Sequence, residues 1–223
     1  YEITTRLVGS EMCIRDRFRI EKKILEDNLT YNGAVILKYQ IEYPQIISNF
    51  YDTEKFNSFN LNRALNLEKY AKESLFSDAK SLYDYNVSNN YPIMVYELLF
   101  TTVITYDQAP IVSLYQDEYT FTGGAHGSTI RTSQNWNLIY PAQFGLNDLY
   151  PSNPNYLLFI LREINRQLKE KGAEFYFDDY CSLVLETFNI HQFYLTPHFI
   201  TFYFQQYDIA PYSTGIPTFE IPY

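Results

Sequence analysis

Three glycines and a histidine fall within five residues, Gly123-Gly124-Ala125-His126-Gly127. Glycines let the backbone turn left-handed and approach a ligand closely. An imidazole on such a loop can serve as acid, base or ligand. The same pattern also suits a tight or bulged hairpin with His126 bonded to backbone. It is not GxGxxG, and it lies between two strand-like runs, so no helix N-terminus is offered to a phosphate. His126, His191 and His198 are the only histidines. None has HxH or HExxH spacing, so no metal site is expected. Asp117 and Glu118 alternate faces of a strand and cannot act as one carboxylate pair. Asp178 and Asp179 suit the positive end of a helix dipole. Asp208 precedes a Pro/Gly corner and suits accepting backbone hydrogen bonds there. Neither GxSxG nor a P-loop occurs. No residue is assigned a catalytic role, and no cofactor is implied.

The elements that must hold these residues come next, and the bulk numbers bound them. The chain has 223 residues and is 46% hydrophobic, enough for one large or two small domains with a substantial core. Its net charge is −9. Such a surface repels phosphate backbones and steers basic partners inward, so nucleic acid is not an expected ligand. Tyr (23) and Phe (17) are abundant. An AT-rich genome explains that, and so does an aromatic binding surface; core packing accounts for Trp136 as well as a contact patch does. No run reaches the ~18 apolar residues of a membrane span. Glu11–Arg17 reads EMCIRDR and resembles one-frame translation of a transposon end used in sequencing libraries. Residues 1–17 are therefore excluded from the fold, and the natural start, with any signal or anchor, is expected to be missing. That leaves Cys181, placed on an apolar stripe with Val184, Leu185 and Phe188 and so expected in the core.

Phe18–Glu26 and Ala34–Tyr43 read as strands joined at Asn32-Gly33, a hairpin turn signal, with Pro44 ending the second. Leu61 to Tyr83 carries apolar residues at helical spacing. Three strands follow: Tyr91–Tyr106, Ile111–Phe121 with Ile111, Tyr115, Tyr119 and Phe121 on one face, and Thr129–Tyr140. Their short links imply antiparallel neighbours. Asn153-Pro154 opens a helix that Gly172 ends, and a shorter helix follows Asp179. The last stretch, Phe193–Tyr223, reads as a strand, a turn at Pro197-His198, and a covered central strand with Ile200, Phe202 and Phe204 on one face. A corner from Ala210 to Pro217 and a final strand complete it. The fold class expected is α+β, with antiparallel sheet and helices packed on one face.

YTFTGGAHGS (Tyr119–Ser128) with NWNL (Asn135–Leu138), and FQQYDIAPYSTGIPTFEIPY (Phe204–Tyr223), resemble a bacterial domain family of unknown function. That family is shared by RsiV-type anti-sigma factors and PdaC-type peptidoglycan deacetylases. Phe18–Asn90 resembles the partner domain that precedes it, which divides the chain into residues 18–90 and 91–223. The resemblance implies an extracytoplasmic module, at the cell surface or membrane-anchored. It would bind or sense a protein or wall glycan, with a lysozyme-like protein or peptidoglycan as ligand. The alternative is an accessory or catalytic module of a wall-modifying hydrolase or deacetylase. Gly123, Gly124, His126 and Tyr212 are the candidate ligand-binding residues. The glycine loop and the terminal corner are expected to form one recognition body.

Overall fold

A computed structural model describes residues 18–151 and 155–223. Residues 1–17 and the Asn153-Pro154 helix start lie outside them. Strand β1 (Arg19–Tyr31) and strand β2 (Ala34–Ile47) form an antiparallel hairpin in which Tyr31 pairs with Ala34. Asn32 and Gly33 have φ of 48° and 81°, the doubly left-handed turn whose twist matches paired strands. Along β2, Leu37, Tyr39, Ile41 and Tyr43 are buried, with exposed Lys38 and Gln40 between them. Pro44 does not end β2: it pairs with Lys22 inside the strand. It is tolerated because β2 is paired to its other neighbour only over Leu37–Ile41, so no ladder bond is lost there to the missing N–H.

Helix α1 (Glu54–Tyr70), a π turn (Ala71–Leu75) and helix α2 (Phe76–Ser88) follow one another with helical backbone at each junction. The helical stretch is therefore longer at both ends than Leu61–Tyr83. Its buried residues are Phe56, Asn60, Ala64, Ala71, Leu75, Ala79 and Asn86. Small residues at the contact let the helix lie close on β2 and on strand β3 (Tyr96–Tyr106), whose Tyr96, Leu98 and Phe100 join the same core. β3 pairs with β2 in parallel, a pairing the antiparallel reading did not include. A parallel neighbour needs a long crossover, and the intervening helix supplies it.

The larger sheet continues through strands β4 (Ile111–Phe121), β5 (Ser128–Asn137) and β6 (Ala142–Gln143), in the order β1-β2-β3-β4-β5-β6. In β4 the buried side chains are Val112, Ser113, Leu114 and Gln116, while Ile111, Tyr115, Tyr119 and Phe121, spaced to share a face, are half-buried. Tyrosine rings tolerate a half-exposed face because the hydroxyl stays wet.

After a short helix α3 (Leu146–Leu149), helix α4 (Tyr156–Lys171) buries Tyr156, Ile160, Ile164 and Leu168. Gly172, with φ 98°, ends it. Helix α5 (Tyr180–Thr187) turns Tyr180, Leu183 and Val184 to the core. Cys181 is exposed and Leu185 is 69% exposed. The stripe thus lies one position off the expected one, and Cys181 is a surface thiol.

Strands β7 (Phe193–Leu195), β8 (Phe199–Tyr203) and β9 (Thr218–Pro222) form a second, antiparallel sheet with β8 in the middle. Ile200, Phe202 and Phe204 are buried against α4, together with Phe219 and Ile221. Each buried phenylalanine contributes roughly 2–3 kcal/mol of transfer free energy.

The chain divides into two compact units. One holds the described residues up to Thr102 with Gln116–Thr129 and Leu138–Pro141. The other holds Val103–Tyr115, Ile130–Asn137 and Ala142–Tyr223. The glycine loop falls in the first and the terminal corner in the second, so they do not form the single body expected. The aromatic strands of Phe193–Tyr223 are built around their own core, whereas the loop is the tip of the β4–β5 link.

Candidate functional site

The glycine loop is built by backbone need. Gly123 and Gly124 have φ of 97° and 94°, where an L side chain is strained. Gly127 is buried, and a Cβ there would lie 2.4 Å from the Tyr119 ring and 2.6 Å from the Thr120 carbonyl. At Gly124 nothing lies within 4 Å. The exposed His126 places Nδ1 3.0 Å from the Gly127 carbonyl oxygen. A proton on Nδ1 donates to that oxygen, which fixes the tautomer and the ring orientation. Among the described residues, no group of three or more His, Cys, Asp or Glu could hold a metal ion.

Tyr212 lies in the other unit, in a 3-10 turn (Tyr212–Thr214) between Pro211 and Gly215. The Thr214 and Gly215 amides donate to the Pro211 and Tyr212 carbonyls at 3.0 Å each. Gly215, at φ 75°, lets the chain leave towards β9. Ahead of the corner, Asp208 accepts a hydrogen bond from the Gln205 amide at 2.8 Å. Burial pushes its carboxyl above the usual range, partly offset by that bond. The Gln205 side chain clamps Arg131 of β5: Oε1 accepts from the Arg131 amide at 2.9 Å and Nε2 donates to its carbonyl at 2.7 Å. Thr214 Oγ1 donates to the Phe175 carbonyl at 3.0 Å, and the Phe177 amide donates to the Ile209 carbonyl at 3.1 Å. These bonds tie the corner to the segment after α4. Phe175 and Tyr207 are each about half exposed there, and the Tyr207 and Tyr212 rings lie 6.1 Å apart.

Electrostatics distinguish this surface. From Gly172 to Tyr223 the 52 residues include six carboxylates and no Lys or Arg. Glu174, Asp178 and Asp179 are exposed beside the aromatic side chains. The corner therefore offers rings on a rigid turn within a segment that carries carboxylates and no Lys or Arg of its own.

Two constellations escaped the sequence reading. The Arg131 guanidinium sits 3.8 Å over the Tyr115 ring and 5.9 Å from that of Tyr203. The Tyr194 ring lies tilted against that of Tyr115 at 5.0 Å and stacks on that of Tyr203 at 6.2 Å. Residues from β4, β5, β7 and β8 are thereby locked together by cation–π and ring contacts. In the first unit, Phe59, Asn62, Arg63, Asn66 and Leu67 line a concavity of about 490 Å³ on α1. Arg63 donates to Gln116 Oε1 at 3.1 Å and lies 4.8 Å over Phe100. Gln116 also donates to Thr102 Oγ1 at 3.1 Å and to Asn60 Oδ1 at 3.4 Å, and all three residues are buried. Asn60 at a buried helical position was the available signal, hidden because the helix begins seven residues before Leu61.

Two protein-family models match the chain. Residues 32–129 match the one described as "Deacetylase PdaC", and residues 147–223 match the one described as "Protein of unknown function (DUF3298)". The glycine loop lies inside the first match, although the division at Tyr91 grouped it with the second domain. Among solved structures, a DUF3298-family member from Bacteroides fragilis is 19% identical with a TM-score of 0.70. The similarity covers 92% of this chain and 90% of that one. A DUF3298-family protein from Pseudomonas aeruginosa is 18% identical with a TM-score of 0.60, covering 94% and 93%. These likenesses establish a shared fold. No curated protein sequence matches the chain.

Proposed function

Since the chain carries a PdaC domain followed by a DUF3298 domain, we propose that it is an extracytoplasmic binding module of the bacterial cell envelope, recognising a basic, lysozyme-like protein or wall glycan. The observation that carries the protein-binding half of this reading is the acidic, aromatic corner around Tyr212. Aromatic anchors on a rigid turn lose little entropy on binding. A segment with six carboxylates and no Lys or Arg of its own attracts a basic partner and speeds its approach. Tyr212 is the residue assigned to that contact. Gly123, Gly124 and His126 form a second exposed loop whose participation the same assay reads.

The test immobilises the chain and measures binding of hen lysozyme, which is basic, against the acidic α-lactalbumin of the same fold. Tight binding of lysozyme alone is expected, weakening steeply between 50 and 300 mM salt as charges are screened. Tyr212→Ala should weaken it at least tenfold, and His126→Ala by less than threefold. Equal binding of both probes, or full binding by Tyr212→Ala, would sink the assignment.

A further inference from the structure

Strand β1 ends the six-stranded sheet, and among the described residues its one strand neighbour is β2. At thirteen residues it is a long edge, and the outer N–H and C=O groups of such an edge template another chain. Which groups those are follows from the hairpin. Tyr31 and Ala34 flank a two-residue turn, so they exchange both of their hydrogen bonds. Odd residues of β1 therefore bond to β2, and even residues from Ile20 to Thr30 turn their backbone outward. One of these outward amides, that of Asn28, is met by the adjacent Asp27 side chain at 2.8 Å.

Charge is sorted along the same edge. Arg19, Lys22 and Lys23 lie in its first half with one carboxylate, Glu21, while Glu26 and Asp27 lie in its second half with no cation. Glu21 is shared between Arg19 and Lys23, at 3.0 and 2.9 Å. Asp27 has no ion-pair partner among the described residues. Between the halves, the Ile24 side chain is 51% exposed.

The geometry points to a partner for this edge: β1 of a second copy of the chain, antiparallel, across a two-fold axis at Leu25. Leu25 then faces the partner's Leu25, and Lys23 faces the partner's Asp27 on either side of the axis. These are non-hydrogen-bonded pairs, whose side chains approach most closely. Ile24 exchanges backbone bonds with the partner's Glu26, and Asn28 with the partner's Lys22. Asp27 thus gives up the Asn28 amide and gains an ammonium. The two Ile24 side chains become diagonal neighbours. No like charges face each other. Slips come in steps of two, because side chains alternate faces. One such slip sets Glu26 against the partner's Glu26, and the opposite one sets Glu21 against the partner's Asp27. The sorted charges therefore select one register, and a two-fold contact of this kind closes at two copies.

Sedimentation velocity on the full chain from ~1 to ~300 µM, the range of weak association, tests this. The mass should rise from monomer to dimer with concentration and stop there. Lys23→Asp opposes two pairs of carboxylates and should weaken association at least tenfold. Adding Asp27→Lys to it restores both pairs and should bring association back to within threefold of the parent. Ile24→Pro is the second variant. It removes an outward N–H that β2 does not use, so circular dichroism should find the fold intact while the dimer is lost. A monomer at every concentration, growth beyond two copies, a dimer unmoved by Lys23→Asp or Ile24→Pro, or a double variant no tighter than Lys23→Asp would overturn the inference. An unfolded Ile24→Pro protein would overturn it as well, since the Ile24 amide would then be bonded within the chain.

Discussion

Replacing Gly127 with alanine separates a structural glycine loop from a ligand-shaped one. The added Cβ would stand 2.4 and 2.5 Å from two Tyr119 ring carbons and 2.6 Å from the Thr120 carbonyl oxygen. Ordinary contact begins about 1 Å further out. The ring can swing aside at some loss of packing, but the carbonyl belongs to the β4 backbone and moves only if the hairpin opens. Overpacking of this kind costs ~1–3 kcal/mol, and the rigid carbonyl places the change in the upper half of that range. For a chain of this size, with about 2–4 °C per kcal/mol, melting should fall by roughly 5–10 °C. Gly124→Ala meets no atom within 4 Å and pays only for its φ of 94°, about 1–2 kcal/mol. Calorimetry on both variants gives the ordering, and lysozyme binding measured well below both melting points should stay within twofold of the parent. A Gly127→Ala protein within 0.5 kcal/mol of the parent would refute the steric reasoning. Intact stability with lost binding would show instead that the loop is shaped for a ligand.

Two titrations extend the account. Asp208 binds its proton more tightly in the folded state, because burial raises its carboxyl above the ordinary 3.8. Its contribution to stability is therefore greatest below that value and is lost as pH rises through the folded one. Asp208→Asn keeps an oxygen to accept from the Gln205 amide, so denaturation should find it as stable as the parent or more so at pH 7, with a flatter pH dependence; a loss above ~1 kcal/mol, the size of a net hydrogen bond, would refute this. Glu163 shows the opposite sign: hydrogen bonds from Arg166 and then Gln167 hold its carboxyl at about 2. Its stabilisation is present above pH 4.5 and fades as pH falls towards 2. Solvent screening limits it to ~0.5 kcal/mol, so Glu163→Gln should lose that little at pH 7 and nothing near pH 2 in the same assay.

What the sequence made legible was the local chemistry. Asn32-Gly33 announced a left-handed turn because few other pairs tolerate positive φ at both positions. Phe199–Phe204 announced a central strand because both faces are apolar, and β8 does lie between β7 and β9. Non-local choices were hidden. Which face of β4 turns inward depends on what covers it, and Gln116 goes inward because Asn60 and Thr102 accept from its amide and Arg63 donates to it. The parallel pairing of β2 and β3 was disguised by the length of the intervening helix, whose first two turns begin in a polar stretch. Cys181 and Val184 are both plausible core residues on an eight-residue helix, and a rotation of one position decides between them. Arg131 carried no signal at all, since the rings it packs on, Tyr115 and Tyr203, come from two other strands.

The π turn at Ala71–Leu75 has a consequence for the length of the segment that contains it. Buried positions four apart, such as Phe56, Asn60 and Ala64, overshoot a full α-helical revolution by ~40° at each step. Left uncorrected, that drift would carry the later contact residues off the sheet. A wider loop of backbone at Ala71–Leu75 winds the face back, so Leu75 and Ala79 return to the surface that Ala64 began. The rod is thus phased like a gear with one compensating tooth. Closing the turn to ordinary α-helix with the residue count unchanged would rotate everything beyond it by about 100°, whereas deleting one residue there would leave the face in phase.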